Sequence, residues 1–379
     1  MKRIHFKKSM ALLLALAACA LLSGCTQSLD VENQAYVLVM GVDEAVNGGI
    51  QLTIRYPRIS GGGSDSEAGS AGGDYGALSI SADSYEAALE KLDWAVGRSL
   101  NLSQLKLVVI SEDMARSDEA RQLLCDIAQT ERLFNAAYVA ICDSSAADFV
   151  NAIEQNIGSR LSMELNAMFE MYTRRGYVPN EKLADIYYQT ISVYSDPMAA
   201  YARLAQKTED GTRIDPPAQT VNAVESNIQT RYLGAALLRD GRVVGLLDAE
   251  EMTLTALLRN DTKYFEYLSQ HQIIRLTPSV PVQIHVHCGP EITEIDVHVQ
   301  LETAVTERIP DKAQLEAQLT ADIEKLIARA QQLGVEPFGF AEYAAAHFPT
   351  LQSWMAYDWH THFSQARLNI RVDLSTSNA

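Results

Sequence analysis

The residues with the clearest chemistry stand near the start of the chain, in Leu22-Ser23-Gly24-Cys25. An apolar run from Met10 to Leu22 precedes them, behind a basic head that carries Lys2, Arg3, Lys7 and Lys8. A basic head, a short apolar stretch and small residues before a cut site describe a secretory signal. The run is shorter than the roughly 20 apolar residues a membrane-spanning helix needs. Leu22-Ser23-Gly24-Cys25 has the form of a bacterial lipobox, in which the cysteine thiol is acylated and becomes the first residue of the mature chain. The expectation is a cleaved signal peptide over residues 1–24 and a lipidated tether over 25–34. The water-soluble body that follows is then held at the outer face of a membrane, which no later apolar stretch is long enough to cross again.

Other residues of chemical interest read more plainly. His285 and His287 share a strand face with Gln283, and His298 can lie on the paired strand. Three imidazoles on neighbouring strands suit zinc. Val282, Ile284 and Val286 alternate with them, however, which puts the histidines on a polar, solvated face. Asp358, His360 and His362 are close in sequence, but three residues at i, i+2 and i+4 do not share one helix face. The carboxylates Glu250 and Glu251 stand at a helix start, where capping and the helix dipole account for them. Cys125, Cys142 and Cys288 are odd in number and widely spaced, and read as buried free thiols. Tyr187, Tyr188, Tyr194 and Tyr201 suit either core packing or a partner surface. There is no phosphate-binding glycine loop, no nucleophile elbow and no His-Glu-x-x-His. No catalytic residue, metal site or cofactor is expected.

Composition narrows the class. The chain has 379 residues, 47% hydrophobic and 21% charged, which is ordinary for a globular protein. About 355 residues without the leader exceed what one core usually serves. The net charge is −17, and the leader holds four basic and no acidic residues, so the mature body stands at −21. Such a body argues against nucleic acid and against adsorption onto anionic lipid.

The elements that must carry these residues are mixed. Tyr36 to Val42 reads as a buried strand, and Ile50 to Tyr56 as a half-buried one in a hairpin with it. Residues 60–76 are rich in glycine and serine and read as a loop. Asp83 and Glu86 fit a capping box for a helix that buries Tyr85, Ala88, Leu89, Leu92 and Val96. Strands at Leu105–Ile110 and Phe134–Ile141 alternate with helices near 117–129 and 146–153, which suggests parallel neighbours. Two further helices follow, over about 160–174 and 180–194. A linker near 205–219 gives the first boundary. Asp240-Gly241 predicts a type I′ hairpin, and Asp248 with Glu251 a second capping box. After strands near 273–286 and 295–307, a helix from Lys312 to Leu333 carries an apolar stripe, stopped by Gly334. Residues 368–373 alternate as a closing strand. The fold class expected is α+β, with three mixed domains over 35–204, 205–270 and 271–379.

Several blocks taken together resemble the Ger(x)C lipoproteins. The lipobox is followed by Ala35-Tyr36-Val37-Leu38-Val39-Met40-Gly41-Val42-Asp43. Next come Ser84-Tyr85-Glu86-Ala87-Ala88-Leu89 and Leu105-Lys106-Leu107-Val108-Val109-Ile110-Ser111-Glu112. A third block runs from Tyr232 to Leu238 and through Val243-Val244-Gly245-Leu246-Leu247 to Glu250-Glu251. The fourth is Glu336-Pro337-Phe338-Gly339-Phe340, ahead of Trp354 and Trp359, with Glu336 standing where the family usually has aspartate. The resemblance implies a non-catalytic subunit of a spore germinant receptor, tethered through Cys25 to the outer face of the inner spore membrane. Its implied partners are two membrane-embedded subunits, one of them transporter-like. A lipid-anchored substrate-binding protein of an importer is the alternative, and a surface zinc enzyme built on His285, His287 and His298 a third reading.

Overall fold

Runs of continuous apolar residues and runs of alternating ones settle into two different kinds of sheet. The computed structural model describes residues 33–58, 75–130, 136–153, 161–204, 206–207, 213–214, 230–269, 272–290, 292–304 and 311–377. The architecture is α+β with mixed sheets.

The chain opens with β1 (Gln34–Tyr36), β2 (Val39–Glu44), β3 (Ile50–Pro57) and β4 (Tyr75–Ala82). The expected strand from Tyr36 to Val42 is therefore divided. The Val37 N–H donates to the Asn101 carbonyl at 3.0 Å and the Leu38 N–H to that of Arg55 at 2.9 Å. The backbone thus switches partner between the two residues, from β5 (Ser99–Asn101) to β3. Helix α1 (Tyr85–Val96) lies between β4 and β5, and its N-cap is Ser84, not Asp83. Tyr85 is buried at the first helical position, which starts the helix one residue later than the capping-box pattern suggests. Ser84 Oγ accepts from the Ala87 N–H at 3.3 Å.

Then follow β6 (Leu107–Ser111), α2 (Glu112–Arg116), α3 (Ala120–Gln129), β7 (Tyr138–Cys142), α4 (Ala146–Ala152), α5 (Leu161–Arg174), α6 (Leu183–Ile191) and β8 (Met198–Leu204). β6 is parallel to β2 and β7, and β7 to β8. Helices α1, α2, α3 and α6 cover one face of the sheet, and α4 and α5 the other. Burial on both faces explains why these strands read as continuous apolar runs. It also corrects the half-buried reading of β3. Thr53, on its supposedly wet face, is fully buried and shares a hydrogen bond with Ser79 at 2.8 Å.

Two short strands, β9 (Gln206–Lys207) and β10 (Arg213–Ile214), lead to the hairpin of β11 (Thr230–Arg239) and β12 (Arg242–Leu247). Asp240 and Gly241 have φ of 51° and 78°, the pair of positive values a type I′ turn requires. β11 pairs antiparallel with β8, so one eight-stranded sheet, β12-β11-β8-β7-β6-β2-β3-β4, runs across the boundary expected near 205. A bulge in β11 falls at Gly234, where φ is 122° and a Cβ would lie 2.1 Å from the Leu247 carbonyl oxygen.

The middle segment is shared in another sense. Helix α7 (Ala249–Leu258) is buried from Met252 to Leu258, and it joins the core of the C-terminal sheet. That sheet holds β13 (Phe265–Ser269), β14 (Gln272–Pro278), β15 (Gln283–Cys288), β16 (Thr293–Ala304) and, after the last helices, β17 (Arg367–Ser377). β17 runs parallel to β16 from Glu294↔Arg367 to Ala304↔Ser377. Helix α8 (Lys312–Leu333) buries Leu315, Leu319, Ile323, Leu326, Ile327 and Ala330 against it. Gly334 ends α8 in the left-handed conformation. Short helices α9 (Phe340–Ala345), α10 (Leu351–Tyr357) and α11 (Trp359–Ser364) close the core with Phe340, Trp354, Trp359 and Phe363. α8 also reaches the first sheet: a Cβ on Gly245 of β12 would come 2.5 Å from Leu333 Cδ1.

Candidate functional site at the joint of the two sheets

The residues expected to carry chemistry are scattered. Leu22, Ser23, Gly24 and Cys25 lie outside the described residues. In the C-terminal sheet His298 faces Gln283, His285 faces Asp296 and His287 faces Glu294 in the β15–β16 register. His287 Nε2 lies 3.2 Å from Asp296 Oδ2, and His298 Nε2 lies 2.6 Å from Asp373 Oδ2. The hydrogen bond from His298 holds the Asp373 carboxyl below its ordinary range. The three imidazoles are thus on the open face, two of them bonded to carboxylates. Among the described residues no group of three His, Cys, Asp or Glu is placed to hold a metal ion. Cys125, Cys142 and Cys288 are free thiols, but only Cys142 is fully buried, and burial pushes its thiol up to about 12. Asp248 and Glu251 form the predicted capping box, and Glu251 also pairs with Arg329 of α8 at 2.6 Å.

What the structure does bring together is a polar network at the joint between the sheets, from residues far apart in sequence. Asp196 precedes Pro197 at the entry to β8 and is buried. Its Oδ2 accepts from the Glu336 N–H at 2.8 Å and lies 2.9 Å from His360 Nε2. In return the Asp196 N–H reaches the Glu336 carbonyl at 3.5 Å. The Glu336 carboxyl folds back to accept from the N–H groups of Phe338 at 2.7 Å and Ala341 at 3.0 Å. That shapes the turn into α9. Burial pushes the Glu336 carboxyl up to about 7, and nearby Asp196 adds to the effect. The hydrogen bond to Asp196 raises His360 in turn.

A second tie stands beside it. Arg259, at the end of α7, pairs with buried Glu181 at 2.9 Å and donates to the Pro337 carbonyl at 3.0 Å. Glu181 Oε2 accepts from the Met198 N–H at 2.7 Å. The Glu181–Arg259 pair therefore links the segment ahead of α6, the start of β8 and the turn before α9. Trp354 adds a third tie, donating from Nε1 to the Val193 carbonyl at 2.9 Å while Tyr194 stacks on its ring.

Two concavities open at this joint. One of about 150 Å³ is polar, bounded by Ser192, Ser195, Asp196, Arg239, Asp240 and His360 among others. A shallower groove of about 400 Å³ lies next to it, between Tyr188, Gln189, Ser192, Tyr194 and Ser195 on one side and Glu342 and Ala345 on the other. No nucleophile hydrogen-bonded to a base lines either. Sequence reasoning did not find the network, because its partners are 140 and 164 residues apart. The available signal was the acid at Glu336, set before a proline and a Phe-Gly-Phe turn. A similar distant bond stands at Asp43, whose carboxylate accepts from the N–H groups of Ala146 at 2.6 Å and Ala147 at 2.9 Å, the first two of α4 after its N-cap Ser145.

Comparison with known proteins is consistent across the chain. Residues 27–204 match the spore germination protein N-terminal domain, and residues 233–378 match the family described as spore germination B3/GerAC-like, C-terminal. YfkR of Bacillus subtilis (strain 168), a protein named for spore germination, is 21% identical over 393 aligned positions. The alignment covers 98% of this chain and 95% of that protein. The crystal structure of the GerBC protein aligns with 89% of this chain and 97% of its own, at 13% identity and a TM-score of 0.49.

Proposed function

The chain belongs to the spore germination GerAC-like family, and on that premise we propose that it is the lipid-tethered, non-catalytic C subunit of a germinant receptor. The observation that carries this reading is the match of both family domains, in order, over nearly the whole length of the body. The tether is Cys25, acylated after cleavage behind Leu22-Ser23-Gly24, and the station is the outer face of the inner spore membrane. Among the described residues no helix is long and apolar enough to cross a membrane. The partners are the membrane-embedded receptor subunits, one of them transporter-like.

An importer's binding protein needs two lobes that open around a ligand. The Glu181–Arg259 pair and the Asp196–Glu336 clasp tie the two sheets together beside the concavities, which opposes lobes that swing apart, so the importer reading gains nothing from the joint. The test is a Cys25→Ala strain of the spore-forming host. The body is expected in the soluble fraction, with nutrient-triggered germination lost. Normal membrane association together with normal germination would overturn the reading.

A further inference from the structure

Exposed apolar side chains are concentrated in one place. Among the described residues fourteen large hydrophobic side chains are exposed, and seven of them fall in two short stretches, 188–194 and 343–355. Tyr188 is 65% exposed, Met355 60% and Leu351 53%. The stretches meet, since Tyr194 stacks on Trp354 of α10 and the groove of about 400 Å³ runs between Tyr188, Tyr194 and Glu342. Scattered apolar residues are normal on a surface, but a contiguous set beside a groove marks an interaction site.

Charge says what would fill it. Lys and Arg number 31 in the chain, yet residues 183–202 and 330–366 contain none, while they hold Asp185, Asp196, Glu336, Glu342 and Asp358. Asp196 and Glu336 are consumed within the joint. Arg239, the cation that lines the neighbouring cavity, is committed to the Gly334 carbonyl. Glu342 is exposed on the groove wall and makes no ion pair among the described residues. A carboxylate across a groove from two tyrosines suits a cationic side chain, through charge and through the ring faces. A surface with acids and no Lys or Arg disfavours anionic lipid, and it opposes its own charge in a symmetric pairing of two copies.

We propose that the groove between α6 and α9, lined by Tyr188 and Tyr194 and neighboured by α10 with its exposed Leu351 and Met355, docks an amphipathic segment of a partner protein that presents Lys or Arg to Glu342 and apolar side chains to the tyrosines. This rests on the reading that the chain works as a subunit, and adds where the contact is made and what chemistry the partner brings. Aromatic residues at the centre of such a contact typically carry most of its energy.

The test uses the full-length chain in detergent and labelled helical peptides of about five turns, with leucine along one face and either lysine or glutamate along the other. Fluorescence anisotropy is expected to show that the lysine peptide binds and the glutamate peptide does not. Glu342→Lys and Tyr188→Ser, both at exposed positions, should each weaken binding about tenfold. Glu90→Lys, an equal charge change on exposed α1, should leave affinity within about twofold. Equal weakening by Glu90→Lys would reduce the effect to general attraction by an acidic protein and overturn the proposal. So would binding of the glutamate peptide, or self-association that Tyr188→Ser abolishes. Failure of the peptide panel removes the surface alone. The subunit reading falls only if the Cys25→Ala strain behaves as wild type.

Discussion

In the N-terminal sheet the central strands β2, β6 and β7 bury nearly every side chain, whereas in the C-terminal sheet β15, β16 and β17 bury every second one. Helices cover both faces of the first sheet. α8 and its neighbours cover one face of the second and leave the other to His285, His287, Asp296 and Asp373. The difference teaches where polar chemistry can sit. In the first sheet buried polar side chains such as Thr53 and Asp43 are held by hydrogen bonds, while the buried Tyr232 hydroxyl has no partner among the described residues. In the second they stand in water and pair loosely. The joint combines burial with ionisable groups, and changes there should cost most.

Arg259→Ala tests that ranking first. It leaves Glu181 buried without its cation and the Pro337 carbonyl without its donor. Breaking one side of a buried ion pair costs about 3–5 kcal/mol. Chemical denaturation should show that loss, and a change under about 1 kcal/mol would mean that the joint is wetter than the geometry indicates.

The same joint should respond to pH. Glu336 is raised from 4.5 to about 7 by burial, so between those values the folded state binds more protons than the unfolded one. Its contribution is fully present below 4.5 and is lost as pH rises through about 7. His360 is also raised, from 6.5, through its bond to Asp196, and its contribution is lost as pH rises through the higher folded value. The two effects share a sign. Stability should fall between pH 5 and 8 by up to about 3 kcal/mol, and Glu336→Gln should flatten the lower part of that slope. A wild-type unfolding midpoint that stays level across the range contradicts this assignment.

A matched pair of substitutions addresses the two sheets directly. Val109→Thr in β6 places a hydroxyl against α4 and α5, at a cost of about 1–3 kcal/mol. His285→Thr on the open face of β15 should stay within about 0.5 kcal/mol. Equal effects would mean that the second sheet is covered in the assembled state under test. Asp43→Ala comes next: it leaves Ser145 as the N-cap of α4 but removes the acceptor of the Ala146 and Ala147 N–H groups, and should cost about 1–2 kcal/mol, visible as faster amide exchange at the start of α4.

Local patterns were legible where local physics decides. The Asp240-Gly241 turn, the Asp248–Glu251 box and the stripe of α8 each depend on residues within a few positions of one another. The jog at Val37 and Leu38 was not legible, because it arises from two different partner strands. Nor was the burial of Thr53, since the alternation of β3 cannot announce a helix nearly 100 residues later. The hairpin β11–β12 was readable, but its docking on β8 was not, and this is why the sheet passes the boundary expected at 205. Asp196 has no local partner, Glu336 stands out only by its Pro-Phe-Gly-Phe context and His360 only by its neighbours Asp358 and His362, and the three become a site only through the joint.

The smallest effect is expected on the open face of the second sheet. His298 and Asp373 are within 2.6 Å, yet both are partly solvated. The depressed Asp373 carboxyl contributes stability above its unfolded value near 3.8, and that contribution is lost as pH falls through the lower folded value. This is the opposite direction from Glu336. Exposed pairs are worth about 0–1 kcal/mol and are screened by salt. Asp373→Asn should therefore change stability by less than about 1 kcal/mol at neutral pH, with the difference shrinking further at high salt. A large, salt-independent loss would show that this face is buried against something, and the contrast between the two sheets would then belong to the isolated chain alone.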